Sequence, residues 1–319
     1  MIRTKRELFV RHPGNPILSA SDWPYPVNTV FNPGAAKLNG ETILLARAEE
    51  LNGVSHLTVA RSANGLDGWR IDAEPLLAPN TEVEEESWGF EDPRVVWVPE
   101  LDVFAITCTA YGPPGPSVYL ATTKDFVTVE RHGVIRRAED KNAALFPVRI
   151  GERWVLLHRP LNAFGGSHGE IALSRSTDLV SWDGDERVMQ PREGAWWDSQ
   201  RIGIGPPPIQ TEHGWLLIYH GIKQTIAGGI YRVGLALLDL EDPSKVLRRA
   251  NNWVLGPDAP YERVGDVPNV TFPCGVVHDE ETGDVRLYYG AADTSICLAT
   301  AKFDELMHEL LEESDPIPG

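Results

Sequence analysis

The feature that most constrains the fold is a pattern of three apolar strands and a hairpin turn that recurs five times along the 319 residues. In each copy, two strands flank the turn and a third strand of the type hydrophobic–Ala–Ser/Thr follows. The copies are about 50 to 70 residues apart, which is close to the period of a propeller blade. Asn-Gly, in the first turn, supplies the positive φ that a tight hairpin needs. The turns lie near Asn39-Gly40, Pro99-Glu100, Gly151, His213-Gly214 and Thr282-Gly283.

Five blades of about four short strands account for nearly the whole chain. We therefore predict an all-β, five-bladed propeller, with residues 1–319 as a single domain. A two-sheet sandwich and two smaller β domains are the alternatives. Helical periodicity is limited to a short C-terminal helix at 303–313 and a helical start at 4–10 within a short N-terminal extension. The 29 glycines and 25 prolines suit turns and disfavour a helical bundle.

The charge balance narrows the class of partner. The formal net charge is −17, so the surface repels polyanions, and we expect neither a nucleic-acid nor a membrane partner.

The three cysteines lack metal-like spacing, which fits a reducing compartment. The basic N-terminus lacks the apolar core of a secretory leader, and no run approaches the roughly 18 apolar residues that span a bilayer. We expect a cytoplasmic protein, and self-association stays open.

Ligand-binding residues are expected at equivalent positions in every blade, because the innermost strands of a propeller point their ends at a central depression. Polar residues do recur beside the apolar strands of all five copies. They are Asn32 and Arg47; Glu91, Asp92 and Arg94; Lys141, Asn142, His158 and Arg159; Arg201, His220, Tyr231 and Arg232; and Asn269 and Asp293.

Two acidic residues of this set have competing interpretations. Asp92, in a Glu-Asp-Pro-Arg turn, is either a turn carboxylate paired with Arg94 or a general acid. In a pocket lined by Trp88 and Phe90, desolvation would raise its pKa and let it protonate a leaving oxygen. Asp293 has no basic neighbour in sequence. It is either a turn cap or a hydrogen-bond acceptor for sugar hydroxyls.

The basic residues point to an anion. In a chain this acidic, cations at the inner ends of several blades are unfavourable unless an anion balances them. Phosphate would do so, because Arg forks match its oxygens while Lys, His and Tyr add single donors. Taken singly, each residue fits an unrelated surface ion pair better, but the recurrence favours one shared site. The set is Lys141, Arg159, Arg201, His220 and Tyr231.

Other common chemistries have no motif here. The chain contains no Walker loop, no HExxH and no GxSxG. His12, His56 and His168 show no metal-ligand spacing. We expect no metal and no organic cofactor. The ten tryptophans are compatible with sugar binding, because sugar sites use Trp faces.

In their order along the chain, these motifs resemble those of glycoside hydrolase family 130, the β-mannoside phosphorylases. The resemblance implies a five-bladed β-propeller that cleaves β-mannosides with inorganic phosphate as co-substrate and releases α-mannose 1-phosphate with inversion. Short β-1,4- or β-1,2-linked substrates are expected, including mannobiose and mannosyl-N-acetylglucosamine. The matching stretches are FNPGAAKLNG, LLARAEE, GFEDPR, KNAALFP, LLHRP, WWDSQRIG, IYHG, YRVG, PNVTFPCG and YYGAAD.

The resemblance also implies residue roles. Asp92 would be the proton donor, acting through the 3-hydroxyl of the mannose. Family members have Arg at the position of Lys141 and Lys at that of Arg201, exchanges that keep the charge but alter the fork geometry. The phosphate would be held by Lys141, Asn142, Arg159, Arg201, His220 and Tyr231. The mannose or its neighbour would be held by Asn32, Arg47, Glu91 and Asp293.

Two other functions remain open. One is a β-mannoside hydrolase on the same scaffold, and the other is a non-catalytic propeller that binds a glycan or a protein. An inverting hydrolase needs an acid and a base, whereas a phosphorylase needs one acid and a cationic clamp. The sequence, with one prominent carboxyl and many cations, favours the phosphorylase. Linkage preference would depend on loops such as 113–117 and 162–169.

Overall fold

The computed structural model describes residues 7–161 and 169–314. Within these ranges the protein is nearly all β, with 21 strands and two short helices, which confirms the all-β prediction. The strands form five antiparallel meanders, whose first strands begin at residues 29, 89, 140, 201 and 271. This spacing confirms the five-fold repeat read from the sequence.

The first two meanders each contain four consecutive strands, and a single parallel bridge between Ser55 and Gly89 links them. Strand numbers follow the chain from β1 (Val10–Arg11). The first meander is β2 (Thr29–Leu38), β3 (Glu41–Glu49), β4 (Ser55–Ser62) and β5 (Arg70–Ile71). The second is β6 (Gly89–Val98), β7 (Val103–Tyr111), β8 (Ser117–Thr123) and β9 (Glu130–Arg136).

The other three meanders are separate sheets, and within the described ranges none of the sheets closes on itself. The third is β10 (Asp140–Leu145), β11 (Trp154–Pro160), β12 (Ile171–Ser176) and β13 (Glu186–Met189). The fourth is β14 (Arg201–Ile204), the short added strand β15 (Ile209–Thr211), β16 (Gly214–Thr225), β17 (Gly228–Leu238) and β18 (Val246–Arg249). The fifth is β19 (Thr271–Asp279), β20 (Asp284–Ala291) and β21 (Ser295–Lys302), completed by β1.

The predicted helical start at residues 4–10 is wrong where the structure describes it. Residues 7–9 are not helical, and Val10 and Arg11 form strand β1, which pairs with Thr300 and Ala299 of β21. This pairing satisfies backbone groups of the edge strand and gives the fifth meander its fourth strand. Residues 4–6 lie outside the described ranges.

The predicted C-terminal helix is confirmed, ending two residues earlier than expected, as α2 (Phe303–Leu311). Its apolar face, formed by Leu306, Met307 and Leu310, is buried in the core. The other helix, α1 (Pro260–Arg263), is a single turn with proline at its first position, where a missing N–H costs nothing.

The hydrophobic core is divided between the meanders. Five large clusters of buried side chains each join two meanders: the first to the second, the second to the third, the third to the fourth, the fourth to the fifth, and the fifth to the first. Each sheet therefore buries both faces against its neighbours, which explains why strands such as Trp154–Pro160 are buried along their whole length.

Three of the first strands, β2, β6 and β10, carry a β-bulge at the same place. At each bulge one residue has a left-handed backbone, a region that Asn and Asp enter more readily than other non-glycine residues. A bulge breaks the regular alternation of side chains along a strand. The three left-handed residues therefore point their side chains toward the same side of the molecule. They are Asn32 (φ 46°), Asp92 (φ 50°) and Asn142 (φ 55°).

Candidate active site

The polar residues expected to bind ligand meet in one cavity of about 310 Å³. All five meanders, with the segment before β19, contribute to its wall. Three apolar side chains, Val267, Val270 and Phe272, were not predicted, and nothing in their apolar sequence context distinguishes them from core residues. The eleven predicted residues in the wall are Asn32, Arg47, Glu91, Asp92, Lys141, Asn142, Arg159, Arg201, His220, Tyr231 and Asp293.

Four other polar candidates lie outside the cavity wall. Arg94 is buried and donates to the backbone oxygens of Asp92, Ile204 and Gly205. The predicted ion pair between the carboxylate of Asp92 and Arg94 is therefore wrong, since the guanidinium binds the backbone oxygen instead. Arg232 stacks over Trp253, and His158 is buried behind the cavity. The carbonyl of Asn269 accepts the N–H of Tyr231.

One half of the cavity, which we call the acid half, is held by internal ion pairs. Asn32 donates from Nδ2 to Asp92 Oδ1 at 2.8 Å, and Arg47 Nη1 lies 3.3 Å from the same oxygen. Glu91 bridges two cations, with Arg47 Nη2 3.2 Å from Oε1 and Lys141 Nζ 3.5 Å from Oε2. Asp92 and Glu91 are thus already paired within the protein, so the positions of their carboxylates are set before any ligand binds.

The environment of Asp92 differs from the expected one. Trp88 is exposed and packs edge-on against Tyr111, while Phe90 is buried in the core against Tyr119. Neither ring lines the cavity, because side chains alternate along β6 and the bulge at Asp92 turns only the residues beside it inward. The expectation of a Trp88–Phe90 pocket is therefore wrong.

The pKa of Asp92 is shifted in the opposite direction from the one expected. Burial alone would raise it, but the positive charges of Arg47 and Lys141 more than offset the burial and hold the pKa below its ordinary value. Arg94 and the hydrogen bond from Asn32 act in the same direction. Asp92 is therefore ionised at neutral pH beside these cations.

Asp293 shows the opposite behaviour. Burial, followed by the negative charge of Asp92, raises its pKa to about 7. It has a left-handed backbone with φ of 50° directly after Ala292, whose φ is 48°. With Asp92 ionised, the pair shares a single titrating proton near neutral pH, and two neighbouring carboxyls with pKa values pushed apart are typical of acid–base sites.

The other half, the cation half, contains Arg159, Arg201, His220, Tyr231 and Asn142. Arg159 is buried and its Nε has no hydrogen-bond partner among the described residues. Burial, and then the charge of Arg201, lower the pKa of Arg159 to about 10. In the ranges that the structure describes, no carboxylate forms an ion pair with either guanidinium. Two uncompensated cations side by side in a buried wall fit an anionic ligand.

His220 and Tyr231 add neutral donors to this half. Burial, with Arg159 and further cations, lowers the pKa of His220 far below its ordinary value, so the ring is neutral. Both of its nitrogens are buried and without a partner in the described ranges. Burial raises the pKa of Tyr231, so its hydroxyl keeps its proton. His220 packs on Phe272 at 4.5 Å between ring centroids.

A buried polar network lies behind the cation half. His158 Nδ1 is 2.7 Å from Asp140 Oδ2, and its Nε2 is 2.9 Å from Ser174 Oγ. Asp140 and His158 each precede a wall residue, Lys141 and Arg159, which pair with each other between strands β10 and β11. The network thus fixes the two strands that carry three of the predicted phosphate ligands.

A larger and more open depression of about 790 Å³ lies at the other end of β2, β6 and β19. Its walls are mainly apolar, and it contains none of the predicted site residues, so we do not assign it as the active site.

No group of three or more His, Cys, Asp or Glu within residues 7–161 and 169–314 is placed to hold a metal ion. None of the described helices is long and apolar enough to cross a membrane.

Comparison with known proteins gives consistent matches over nearly the whole chain. The sequence profile of glycoside hydrolase family 130, described as beta-1,4-mannooligosaccharide phosphorylase, matches residues 11–313. The chain is 36% identical over 288 residues to a 1,2-beta-oligomannan phosphorylase of Thermoanaerobacter sp. (strain X514), covering 87% of this chain and 91% of that protein. It is 33% identical over 310 residues to a beta-1,4-mannooligosaccharide phosphorylase of Ruminococcus albus, covering 95% and 90%.

A solved structure agrees with these matches. The beta-1,2-mannobiose phosphorylase of Listeria innocua, determined in complex with beta-1,2-mannobiose, superposes with a TM-score of 0.86 at 30% identity. The match covers 95% of this chain and 99% of that one. The fold and the sequence therefore point to the same family.

Proposed function

The chain belongs to glycoside hydrolase family 130, and from this membership and the divided charge of its cavity we propose that it is a β-mannoside phosphorylase. Inorganic phosphate attacks the anomeric carbon of a β-mannoside and releases α-mannose 1-phosphate with inversion. The observation that carries the proposal is a pair of neighbouring guanidinium groups, buried Arg159 and half-buried Arg201. They form no ion pair with a carboxylate of the described residues and lie opposite the paired carboxylates.

The proposed architecture is a five-bladed β-propeller with each meander as one blade. It is supported by the five core clusters, because they link the meanders in a cycle that returns from the fifth to the first. In such a ring the bulged first strands β2, β6 and β10 line the axis, and the cavity is the axial site. The blades together constitute one domain.

In this proposal the phosphate binds in the cation half. Arg159 and Arg201 hold its oxygens through their forks, and Lys141 neutralises it from the side that faces Glu91. The neutral His220 ring, the Tyr231 hydroxyl and Asn142 supply further hydrogen bonds. A bound phosphate would satisfy buried donors that have no partner among the described residues, and these donors would hold it in line with C1.

The mannose binds between the two halves, against Asn32, Arg47, Glu91 and Asp293. As the C1–O bond to the leaving sugar breaks, a bond from C1 to a phosphate oxygen forms on the opposite face. The leaving oxygen takes a proton that Asp92 delivers through the 3-hydroxyl of the mannose. Asn32 and Arg47 fix the carboxyl that performs this step.

The low pKa of Asp92 is compatible with its role as proton donor because the bound phosphate changes the charge around it. A phosphate dianion beside Lys141 cancels part of the positive potential that keeps Asp92 ionised. Its binding therefore raises the pKa of Asp92 toward the protonated form that the reaction needs. Asp293, with a pKa of about 7, provides a neighbouring proton at neutral pH.

A hydrolase needs a base to activate water on the face opposite the acid. Among the described residues that line the cavity, all three carboxylates, Glu91, Asp92 and Asp293, interact with Arg47 in the acid half. The described wall of the cation half contains no carboxylate. The arrangement therefore favours phosphate over activated water as the attacking group.

The proposed substrates are short β-1,2- or β-1,4-linked mannosides, including mannobiose and mannosyl-N-acetylglucosamine. We further propose that the enzyme works without a metal or an organic cofactor, in the cytoplasm, and without nucleic-acid or membrane partners.

The test is an assay of these disaccharides with and without inorganic phosphate, followed by NMR. The proposal predicts α-mannose 1-phosphate with phosphate and no turnover without it. Release of free mannose at an equal rate in both conditions would establish the hydrolase. Saturable binding of the sugars with no product in either condition would establish the non-catalytic glycan-binding protein.

A further inference from the structure

Two aromatic side chains that the proposed mechanism does not use lie exposed beside the acid half. Trp88 is 47% exposed and Tyr111 is 37% exposed. Their rings meet edge to face, with centroids 5.2 Å apart and planes at 72°, and the backbone N–H of Trp88 donates to the backbone oxygen of Tyr111 at 2.9 Å. We refer to this pair as the Trp88–Tyr111 platform.

The direction of β6 places the platform at the mouth of the cavity. Glu91 and Asp92, near the start of the strand, line the cavity, whereas Val95, Val96 and Trp97, near its end, line the depression on the other side. Trp88 precedes Glu91 by three residues, which in an extended strand is about 10 Å. The platform therefore lies outward from Asp92, on the side from which a substrate enters.

The platform is also tied to the cavity wall. Gly89, which follows Trp88, has φ of 116° and lies close to the backbone of Ser55. A Cβ atom on Gly89 would be 2.4 Å from the backbone oxygen of Ser55. The Ser55 hydroxyl in turn accepts a hydrogen bond from Arg47 Nε at 2.9 Å. This chain of contacts from Arg47 to Trp88 gives the exposed ring a fixed position relative to Asp92.

The chemistry of the platform suits a sugar ring. A pyranose has an apolar C–H face that packs on an aromatic face and hydroxyls around its edge. The indole N–H of Trp88 and the hydroxyl of Tyr111 have no hydrogen-bond partner among the described residues, so both can bind such hydroxyls. Exposed apolar patches of this kind, rimmed by polar groups, mark ligand-binding surfaces.

The position of the phosphate identifies which sugar reaches the platform, an argument that rests on the proposed function. In an in-line displacement the leaving group departs opposite the nucleophile, so it lies on the Asp92 side. The cavity, at about 310 Å³, is at the small end of ligand pockets, which span roughly 300 to 1,000 Å³. A long leaving group must therefore extend past the start of β6.

We propose that the Trp88–Tyr111 platform stacks against the leaving oligosaccharide beyond its first sugar, so that the enzyme acts on manno-oligosaccharides of three or more units more efficiently than on disaccharides. The platform determines chain-length preference and takes no part in the bond-breaking step, which Asp92 and the phosphate perform.

The experiment compares mannobiose with mannotriose of the same linkage, for wild type, Trp88→Ala and Trp88→Phe, at saturating phosphate. The control is Trp97→Ala, which removes a ring on the same strand that is 40% exposed, packs on Phe104 and faces the other depression. For Trp88→Ala we expect kcat/KM for mannotriose to fall about tenfold through KM, the order expected for one lost aromatic contact. Mannobiose should change by less than about twofold, Trp88→Phe should retain most of the mannotriose efficiency, and Trp97→Ala should leave the ratio unchanged.

The inference is overturned if Trp88→Ala leaves the ratio of the two efficiencies unchanged, or if Trp97→Ala lowers it as much. Calorimetric binding of mannotriose and mannobiose to the same variants gives a readout that needs no turnover. A loss of the preference for mannotriose in Trp88→Ala supports the platform even if no mannose 1-phosphate forms. Failure of the phosphorylase proposal would appear separately, as wild-type enzyme that makes no mannose 1-phosphate.

Discussion

The two halves of the cavity differ in how their charges are satisfied. In the acid half, Asp92 is bound by Asn32 and Arg47, and Glu91 bridges Arg47 and Lys141. In the cation half, Arg159 has a buried nitrogen without a partner in the described ranges, and its pKa is lowered partly by a second guanidinium. The protein completes the first half itself and leaves the second for a ligand. Under the proposed function, the fold therefore positions Asp92 as the acid, and the phosphate neutralises the cations.

Removing the acid should have the largest effect. Asp92→Asn keeps the shape and the hydrogen bond from Asn32 but cannot deliver a proton, so we expect kcat to fall by about 10³-fold or more. Phosphate binding should stay within a few-fold of wild type, because it depends on the other half. Steady-state kinetics and phosphate calorimetry check both parts. A variant with a tenth or more of wild-type kcat would remove Asp92 from the role of acid.

Removing one cation should weaken phosphate binding while leaving mannose binding nearly unchanged. Arg159→Ala deletes a buried donor of the proposed phosphate site, and we expect the KM for phosphate to rise about 100-fold. Affinity for mannose, measured by calorimetry, should change little. The matched control is Arg232→Ala on β17, since Arg232 stacks on Trp253 outside the cavity wall. Equal effects of the two variants on the phosphate KM would mean that the loss is not specific to the cavity.

Most of the site could be predicted from the sequence. A charged residue beside an unbroken apolar strand, as in WVLLHRP or WLLIYHG, is conspicuous, and its recurrence in all five copies identified the wall residues. The five-fold repeat followed from the evenly spaced turns. Both signals are local, so they are readable without knowledge of the three-dimensional contacts.

The electrostatics of the site could not be predicted in the same way. The direction of the pKa shift of Asp92 depends on Arg47, 45 residues earlier, and on Lys141 in another sheet. Two of the three bulges could be recognised in the sequence, because Asn-Pro and Asp-Pro interrupt apolar strands at residues 32 and 92. The loop at 162–169, on which linkage preference is expected to depend, is described only at its end. Residues 162–168 lie outside the described ranges, while Gly169 contacts Arg201 and Arg159.

A smaller effect should follow from crowding the cation half without changing its charge. A Cβ atom on Gly203 of β14 would lie 2.5 Å from His220 and 2.7 Å from Asn142. We expect Gly203→Ala to displace both side chains and raise the KM for phosphate about tenfold, with the mannose affinity nearly unchanged. The parallel measurement of both affinities checks this. A loss confined to the mannose would show that these two side chains serve the sugar instead.

The smallest effect should come from Asp293 and appears in stability. Its pKa in the folded protein, about 7, lies above the ordinary value of 3.8, so the folded state holds the proton more tightly than the unfolded state. The contribution of this group to the free energy of unfolding therefore falls as the pH rises from about 4 through 7. Asp293→Asn removes this dependence. We expect its Tm to exceed that of wild type at pH 8 and the difference to shrink steadily toward pH 4; a constant difference across this range would contradict the assigned shift.

The most direct measurement titrates inorganic phosphate alone into wild type, Asp92→Asn and Arg159→Ala by calorimetry. If the cation half is the phosphate site, wild type and Asp92→Asn bind one phosphate per chain with similar affinity, and Arg159→Ala loses that binding. Equal phosphate binding by wild type and Arg159→Ala, or none by wild type, would contradict it.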